Sequence, residues 1–95
     1  MDDFAPRLSI VVPLYNAAAT LTALHQEISA LEVPGGHELI LVNDGSRDET
    51  EAVALKLTRE SRLPMRFLSL SRNFGEHNAV LAGLRVVSGR YVVDG

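Results

Sequence analysis

The chain has 95 residues, 46% of them apolar and 22% charged, a size and balance suited to one small globular domain. A formal net charge of -3 leaves no basic footprint for nucleic acid, and the lack of cysteine removes disulfides and thiolate metal sites. The opening Met1-Asp2-Asp3-Phe4 lacks the basic stretch of a signal peptide and no apolar run reaches membrane-spanning length, so the chain as given reads as soluble and cytoplasmic.

Residues 1–7 read as a loose N-terminal arm. Leu8 to Val12 is a β-branched run closed by Pro13 and predicts a first strand. Asn16 can cap a helix with its body from Ala17 to Leu31, in which Leu21, Leu24, Ile28 and Leu31 form the buried stripe. Pro34-Gly35-Gly36 breaks it, and Glu38 to Val42 predicts the second strand. Ser46 and Glu49 have capping-box spacing, so a second helix is expected from about Asp48 to Ser61, with Val53 and Leu57 facing inward. Met65 to Ser71 predicts the third strand, and a third helix runs from about Glu76 to Val87, ended by Ser88-Gly89. Tyr91-Val92-Val93 begins a fourth strand. This alternation predicts an α/β fold: a three-layer parallel sheet in the order 3-2-1-4 with helices on both faces and a switch point between strands one and four.

Three polar clusters follow strands and so fall at the edge where open α/β sheets bind ligands. Pro13-Leu14-Tyr15-Asn16 is either a strand end with a cap or the wall of a base pocket. Asn43-Asp44-Gly45-Ser46 is either a conformational turn or a pair of Asx ligands; a carboxylate here suits base N–H or ribose hydroxyl groups, or a metal that bridges phosphates. Asp48 reads as compensation for the helix dipole. In Ser71-Arg72-Asn73-Phe74-Gly75-Glu76-His77-Asn78, Arg72 is either a solvated cation or a planar partner for a pyrophosphate, helped by helix N–H groups. His77 reads as a surface residue, and His25, His37 and His77 have no zinc spacing. Gly75, Ala79 and Gly83 recur on one helical face and predict close packing on the sheet. There is no G-x-G-x-x-G, P-loop or G-x-S-x-G sequence.

Taken in order, Ile10-Val11-Val12-Pro13-Leu14-Tyr15-Asn16, Leu41-Val42-Asn43-Asp44-Gly45-Ser46-Arg47-Asp48 and the run from Arg72 to Gly83 resemble glycosyltransferase family two. The third motif looks most like the polyprenyl-phosphate sugar transferases, the dolichol-phosphate and undecaprenyl-phosphate enzymes. The likeness covers Leu8 to Val93. It implies the nucleotide-binding half of a GT-A (Rossmann-like) fold, a UDP- or GDP-sugar donor, a polyprenyl-phosphate acceptor, a divalent Mg or Mn ion and inversion at the anomeric carbon. Matched by position, Pro13 and Tyr15 would line the base pocket, Asp44 with Asn43 would bind base or ribose, and Arg72, Asn73 and Gly75 would lie near the diphosphate or sugar. Asn16 and Ser46 complete the expected nucleotide-sugar set.

The pattern departs from its relatives in three places. Ala17 stands where many carry an acidic residue, Asn43 replaces the first Asp of Asp-Asp-Gly-Ser, and Val93 is followed at once by Asp94-Gly95. Asp94 is either the first carboxylate of the Asp-x-Asp metal motif or an accident of the terminus. The whole chain, 1–95, therefore reads as a single truncated nucleotide-sugar-binding domain with no catalytic residue of its own. Alone it is expected to bind nucleotide weakly and transfer nothing, while the longer enzyme would work at the cytoplasmic face of the membrane. The competing reading is a non-catalytic βαβ module acting by self- or partner association through exposed surface. A phosphoacceptor receiver fits less well, since Pro13 and Arg72-Asn73 stand where its acidic groups belong. Tyr15, Asp44 and Arg72 are expected on one rim, with Asp44 exposed and replaceable by Ala without harm to the fold.

Overall fold

The computed structural model describes residues 6–87 and the backbone of 91–94. In this part the elements alternate as β1 (Leu8–Leu14), α1 (Leu21–Ser29), β2 (His37–Asp44), α2 (Thr50–Glu60), β3 (Met65–Leu70), α3 (Glu76–Leu84) and β4 (Tyr91–Asp94). The strands pair in parallel in the order β3-β2-β1-β4, as the sequence predicts. β2 is buried along its whole length, which explains its unbroken apolar run.

Side chains alternate across the pleat and divide the core in two. Ile10, Val12 and Leu14 of β1 and Leu39 and Leu41 of β2 face α1 and α2, meeting Leu21, Ile28 and Ala54. Val11, Ile40 and Val42 face α3 and meet Ala79. Each fully buried Leu, Ile or Val here contributes about 1.5–3 kcal/mol. Gly83 makes the α3 contact possible: a β-carbon there would lie 2.5 Å from Val11 Cγ1 and 3.0 Å from Val42 Cγ2. The same face carries a buried carboxylate. Glu38 accepts the Ser9 hydroxyl at 2.6 Å and lies 3.6 Å from Arg66 Nε, while Arg66 also donates to the Val86 carbonyl at 2.8 Å. Among the described residues no helix is long and apolar enough to cross a membrane.

Several boundaries differ from expectation, each for a local reason. β1 continues through Pro13, which pairs in register with Val42. The last described β1–β4 pair is Val11 with Asp94, so the missing Pro13 N–H interrupts no described rung on that side. α1 begins at Leu21, not Ala17, because Asn16 adopts φ 52° and turns the chain out of the helical path. A turn follows, in which the Ala17 carbonyl accepts the Thr20 and Leu21 N–H groups. The helix stops at Ser29, so Leu31 leaves the buried stripe and is 50% exposed. α2 has no capping box, since its N-cap is Glu49 and makes no side-chain bond. α3 ends at Leu84 rather than Val87. Ser88-Gly89, expected to end that helix, and residues 1–5 of the expected arm lie outside the described residues. Arg7 is tied down, its N–H donating to the Gly36 carbonyl at 3.1 Å.

Candidate functional site

The β1–α1, β2–α2 and β3–α3 connections meet at the carboxyl edge of the sheet, and the middle one joins the other two. Toward β1–α1, the bonds are reciprocal. Ser46 Oγ accepts the Asn16 N–H at 2.9 Å, and Asn16 Oδ1 accepts the Arg47 N–H at 2.9 Å. Thr50 Oγ1 accepts the Ala17 N–H at 2.8 Å, and Asp48 Oδ2 the Ala18 N–H at 3.2 Å. Asn16 and Ser46, expected as caps, spend their side chains on this seam, which is why neither caps a helix.

Asp48 does more than offset a dipole. Its Oδ1 accepts the Thr50 N–H at 2.9 Å and, in a short bond, the Thr50 hydroxyl. The Thr50 hydroxyl bond is the main cause holding the Asp48 carboxyl below its ordinary value of 3.8, with the Thr50 and Ala18 N–H groups adding to it.

Asn43 and Asp44 are consecutive and so point to opposite faces of β2. Asn43 Oδ1 accepts the Ser46 N–H at 3.1 Å, closing the turn into α2, and its Nδ2 approaches Ser69 Oγ at 3.4 Å. Asp44 turns toward α3. Its Oδ1 accepts the Phe74 N–H at 2.7 Å and its Oδ2 the Gly75 N–H at 3.0 Å. Asp44 is only 3% exposed, so it is a buried clamp and not the exposed turn residue expected from the sequence. Gly45 brings the same two segments together. With φ 70°, it has Arg72 C 2.3 Å and Asn73 N 2.4 Å from where a β-carbon would stand.

The clamped loop is organised internally. Asn73 Oδ1 shares the Gly75 N–H at 2.8 Å, Asn78 Nδ2 donates to the Phe74 carbonyl at 2.8 Å, and the Arg72 guanidinium lies 4.8 Å from the Phe74 ring centroid. Gly75 takes φ 100° and ψ 149°, and a β-carbon there would meet no atom within 4 Å. Its place in the small-residue repeat is therefore conformational, whereas Ala79 and Gly83 are the packing positions.

Pro13, Leu14, Tyr15, Asp44 and Glu76 line an open cleft of about 270 Å³ on this edge. Tyr15 and Asp44 line this cleft, whereas Arg72, expected on the same rim, lies outside its lining on the adjoining loop that Asp44 holds. Glu76 was not singled out by sequence; its only signal was its position at the start of α3, directly after Gly75. The cleft holds two carboxylates, while the Arg72 cation stands on the neighbouring loop. A larger open cavity of about 680 Å³, lined by His25, His37 and Ser61 among others, lies at the opposite edge of the sheet. There His37 Nε2 bonds the Ile28 carbonyl at 2.8 Å and His25 Nε2 meets Ser61 Oγ at 2.9 Å, which suits a structural role. No group of three or more His, Cys, Asp or Glu able to hold a metal occurs among the described residues. The Asp94 backbone lies in β4, and its side chain is outside the described part.

Polar and glycine-containing loops joined at the carboxyl edge of an open parallel sheet define an α/β domain of the kind that binds ligands at that edge. The chain belongs to Glycosyl transferase family 2, whose sequence model matches residues 9–93. Among curated relatives, an undecaprenyl-phosphate 4-deoxy-4-formamido-L-arabinose transferase of Shewanella sediminis is 36% identical over 88 residues, covering 90% of this chain and 27% of the relative. A dodecaprenyl-phosphate galacturonate synthase of Rhizobium johnstonii is 39% identical over 87 residues, covering 90% and 26%. The chain thus spans about a quarter of the length of these relatives. Among solved structures, S. aureus TarS 1-349 in complex with UDP-GlcNAc superposes with a TM-score of 0.82 at 26% identity, covering 93% of this chain and 25% of that one. The mannosyltransferase PcManGT of Pyrobaculum calidifontis, solved with GDP-Man and Mn2+, has a TM-score of 0.80 at 22% identity, covering 96% and 28%, and shares the fold.

Proposed function

We propose that this chain is the nucleotide-sugar-binding portion of an inverting glycosyltransferase that transfers a hexose from a UDP- or GDP-sugar to a polyprenyl phosphate at the cytoplasmic face of a membrane. The observation that carries the proposal is the single rim: the Tyr15 cleft and the Arg72 loop are locked together through β2. Charge orders the ligand along it. Carboxylates at Asp44 and Glu76 repel a diphosphate, so the base and ribose take the Tyr15–Pro13 side and the diphosphate takes the Arg72 side. The fixed guanidinium supplies planar donors there, and Asn73 and Gly75 shape the approach. Asn16, Asn43 and Ser46 serve by holding the wall. The relatives named above, acting on undecaprenyl and dodecaprenyl phosphates, support the acceptor class. Such an acceptor is already an anion, so no general base is required to activate it.

A divalent ion in the longer enzyme would stabilise the departing nucleoside diphosphate, with Asp94 proposed as one carboxylate of its site. The described residues do not form that site by themselves.

The test is titration of the 95-residue chain with millimolar UDP, GDP and their sugars, with and without manganese, while backbone amides are followed. Shifts concentrated at Tyr15 and 72–75 are expected, together with no sugar transfer by this chain alone. Shifts confined to the His25–Ser61 edge, or none, refute the assignment. A second reading, association without nucleotide, is favoured by Leu81 and Leu84, exposed on α3; self-association with silent amides would establish it instead.

A further inference from the structure

We infer that this chain pairs with a second copy of itself through the free edge of β3 and the side of α2 that overhangs it, giving one continuous sheet with a two-fold axis at Phe67 and Leu55. β3 pairs on one side only, with β2. The Leu39 N–H donates to the Pro64 carbonyl at 3.0 Å. In a parallel ladder that bond sets the alternation: the backbone groups of Arg66, Leu68 and Leu70 face β2, and those of Met65, Phe67 and Ser69 face outward. Among the described residues these outward groups bond no other element's backbone. Met65–Leu70 contains no Pro that would interrupt an added ladder. Its one charge, Arg66, is drawn toward β2 by Glu38 at 3.6 Å and donates to the Val86 carbonyl at 2.8 Å.

The occupant is a second copy because both elements are self-complementary about one axis. In antiparallel pairing the outward residues exchange bonds as Met65 with Ser69 of the second copy, Phe67 with its Phe67, and Ser69 with its Met65. α2 overhangs the same edge, since Ser69 Oγ donates to Glu51 Oε1 at 3.4 Å. Glu51, Leu55 and Arg59 follow at four-residue intervals along that side, with the acid in the first turn, the base in the last and Leu55 40% exposed between them. Turned about the axis, Glu51 meets Arg59 of the second copy, Leu55 meets its Leu55, and the two helix dipoles oppose. The two centres coincide. Leu55 lies about 6 Å along the helix from Glu51, and Phe67 lies ~7 Å along the strand from Ser69. Both steps go the same way, because a helix that links parallel strands runs opposite to them. An unrelated strand would supply the backbone bonds without this exchange of charge. The carboxyl edges of the two sheets then point in opposite directions and stay clear of the contact, so this dimer and the nucleotide reading stand or fall separately.

The interface is small, so the dimer is weak and is sought at high micromolar to millimolar concentration. The experiment follows the 95-residue chain across that range by sedimentation velocity and amide exchange. As the dimer forms, the Met65, Phe67 and Ser69 amides should exchange about tenfold more slowly, while Arg66, Leu68 and Leu70, already bonded to β2, keep their rates. Glu51→Arg or Arg59→Glu alone should weaken the dimer about tenfold, and the two together should restore it. Leu81→Lys with Leu84→Lys acts on α3, across the sheet from α2, where any contact would add to the dimer and not make it; the exchange pattern should survive that change. A chain that stays monomeric at millimolar concentration, a dimer without the alternating protection, or a double reversal that fails to restore pairing overturns the inference. Should a reversal variant fail to fold, the alternation in the wild type decides alone.

Discussion

At the scale of single residues, the two Asx side chains at the end of β2 carry most of the architecture of the rim. Because one faces α2 and the other α3, each fixes a different connection. Replacing Asp44 with Ala strips the Phe74 N–H of its acceptor and leaves the Gly75 N–H to Asn73 alone, and the chain should lose about 2 kcal/mol, read as a lower urea midpoint at an unchanged slope. Asp48 gives a different signature. Its folded pKa lies below 3.8, so its contribution is fully present above the unfolded value and is lost as pH falls through the lower, folded one. Asp48→Asn should therefore flatten the acid limb of stability against pH and leave its shape near neutrality unchanged; urea midpoints at stepped pH values measure this. Sequence alone marked Asn43 and Asp44 as the residues to watch. It could not say which way each points, since that depends on a register set by β1 and β3.

At the scale of elements, glycine has different work at three positions. Gly83→Ala presses a methyl group on Val11, a buried and rotationally stiff neighbour, and should cost about 1–3 kcal/mol by denaturant unfolding. Gly75→Ala meets nothing, yet should cost a similar ~1–3 kcal/mol because φ 100° suits only glycine. Gly45→Ala combines both faults and should be the worst of the three, at about 3 kcal/mol, with chemical-shift changes spreading to Arg72 and Asn73. Order and type of every element were legible from apolar runs and breakers. Helix starts were less so. Asn16 and Ser46 are good caps in isolation, but partners some thirty residues away claim their side chains. Local propensity carries no trace of that competition.

At the scale of the molecule, the strand order brings three distant segments to one edge, and that much followed from alternation and crossover handedness. The cleft's second carboxylate, Glu76, did not, because its neighbour across the cleft comes from β1. Arg72→Ala should weaken any UDP or GDP response by about tenfold and reduce its salt dependence, as expected for removal of one charged bidentate donor. The exposed pair Leu81 and Leu84 on α3 predicts concentration-dependent association, checked by sedimentation velocity, and Leu81→Lys with Leu84→Lys should suppress it. The seam at Gly45 has one more consequence. With the Arg72 and Asn73 backbone pressed against it, neither adjoining connection can lengthen independently there. Insertions should unseat the rim when placed between Gly45 and Ser46. Divergence in ligand preference within such a scaffold would then proceed by exchange of side chains at fixed loop length, a constraint that library design on this domain can adopt directly.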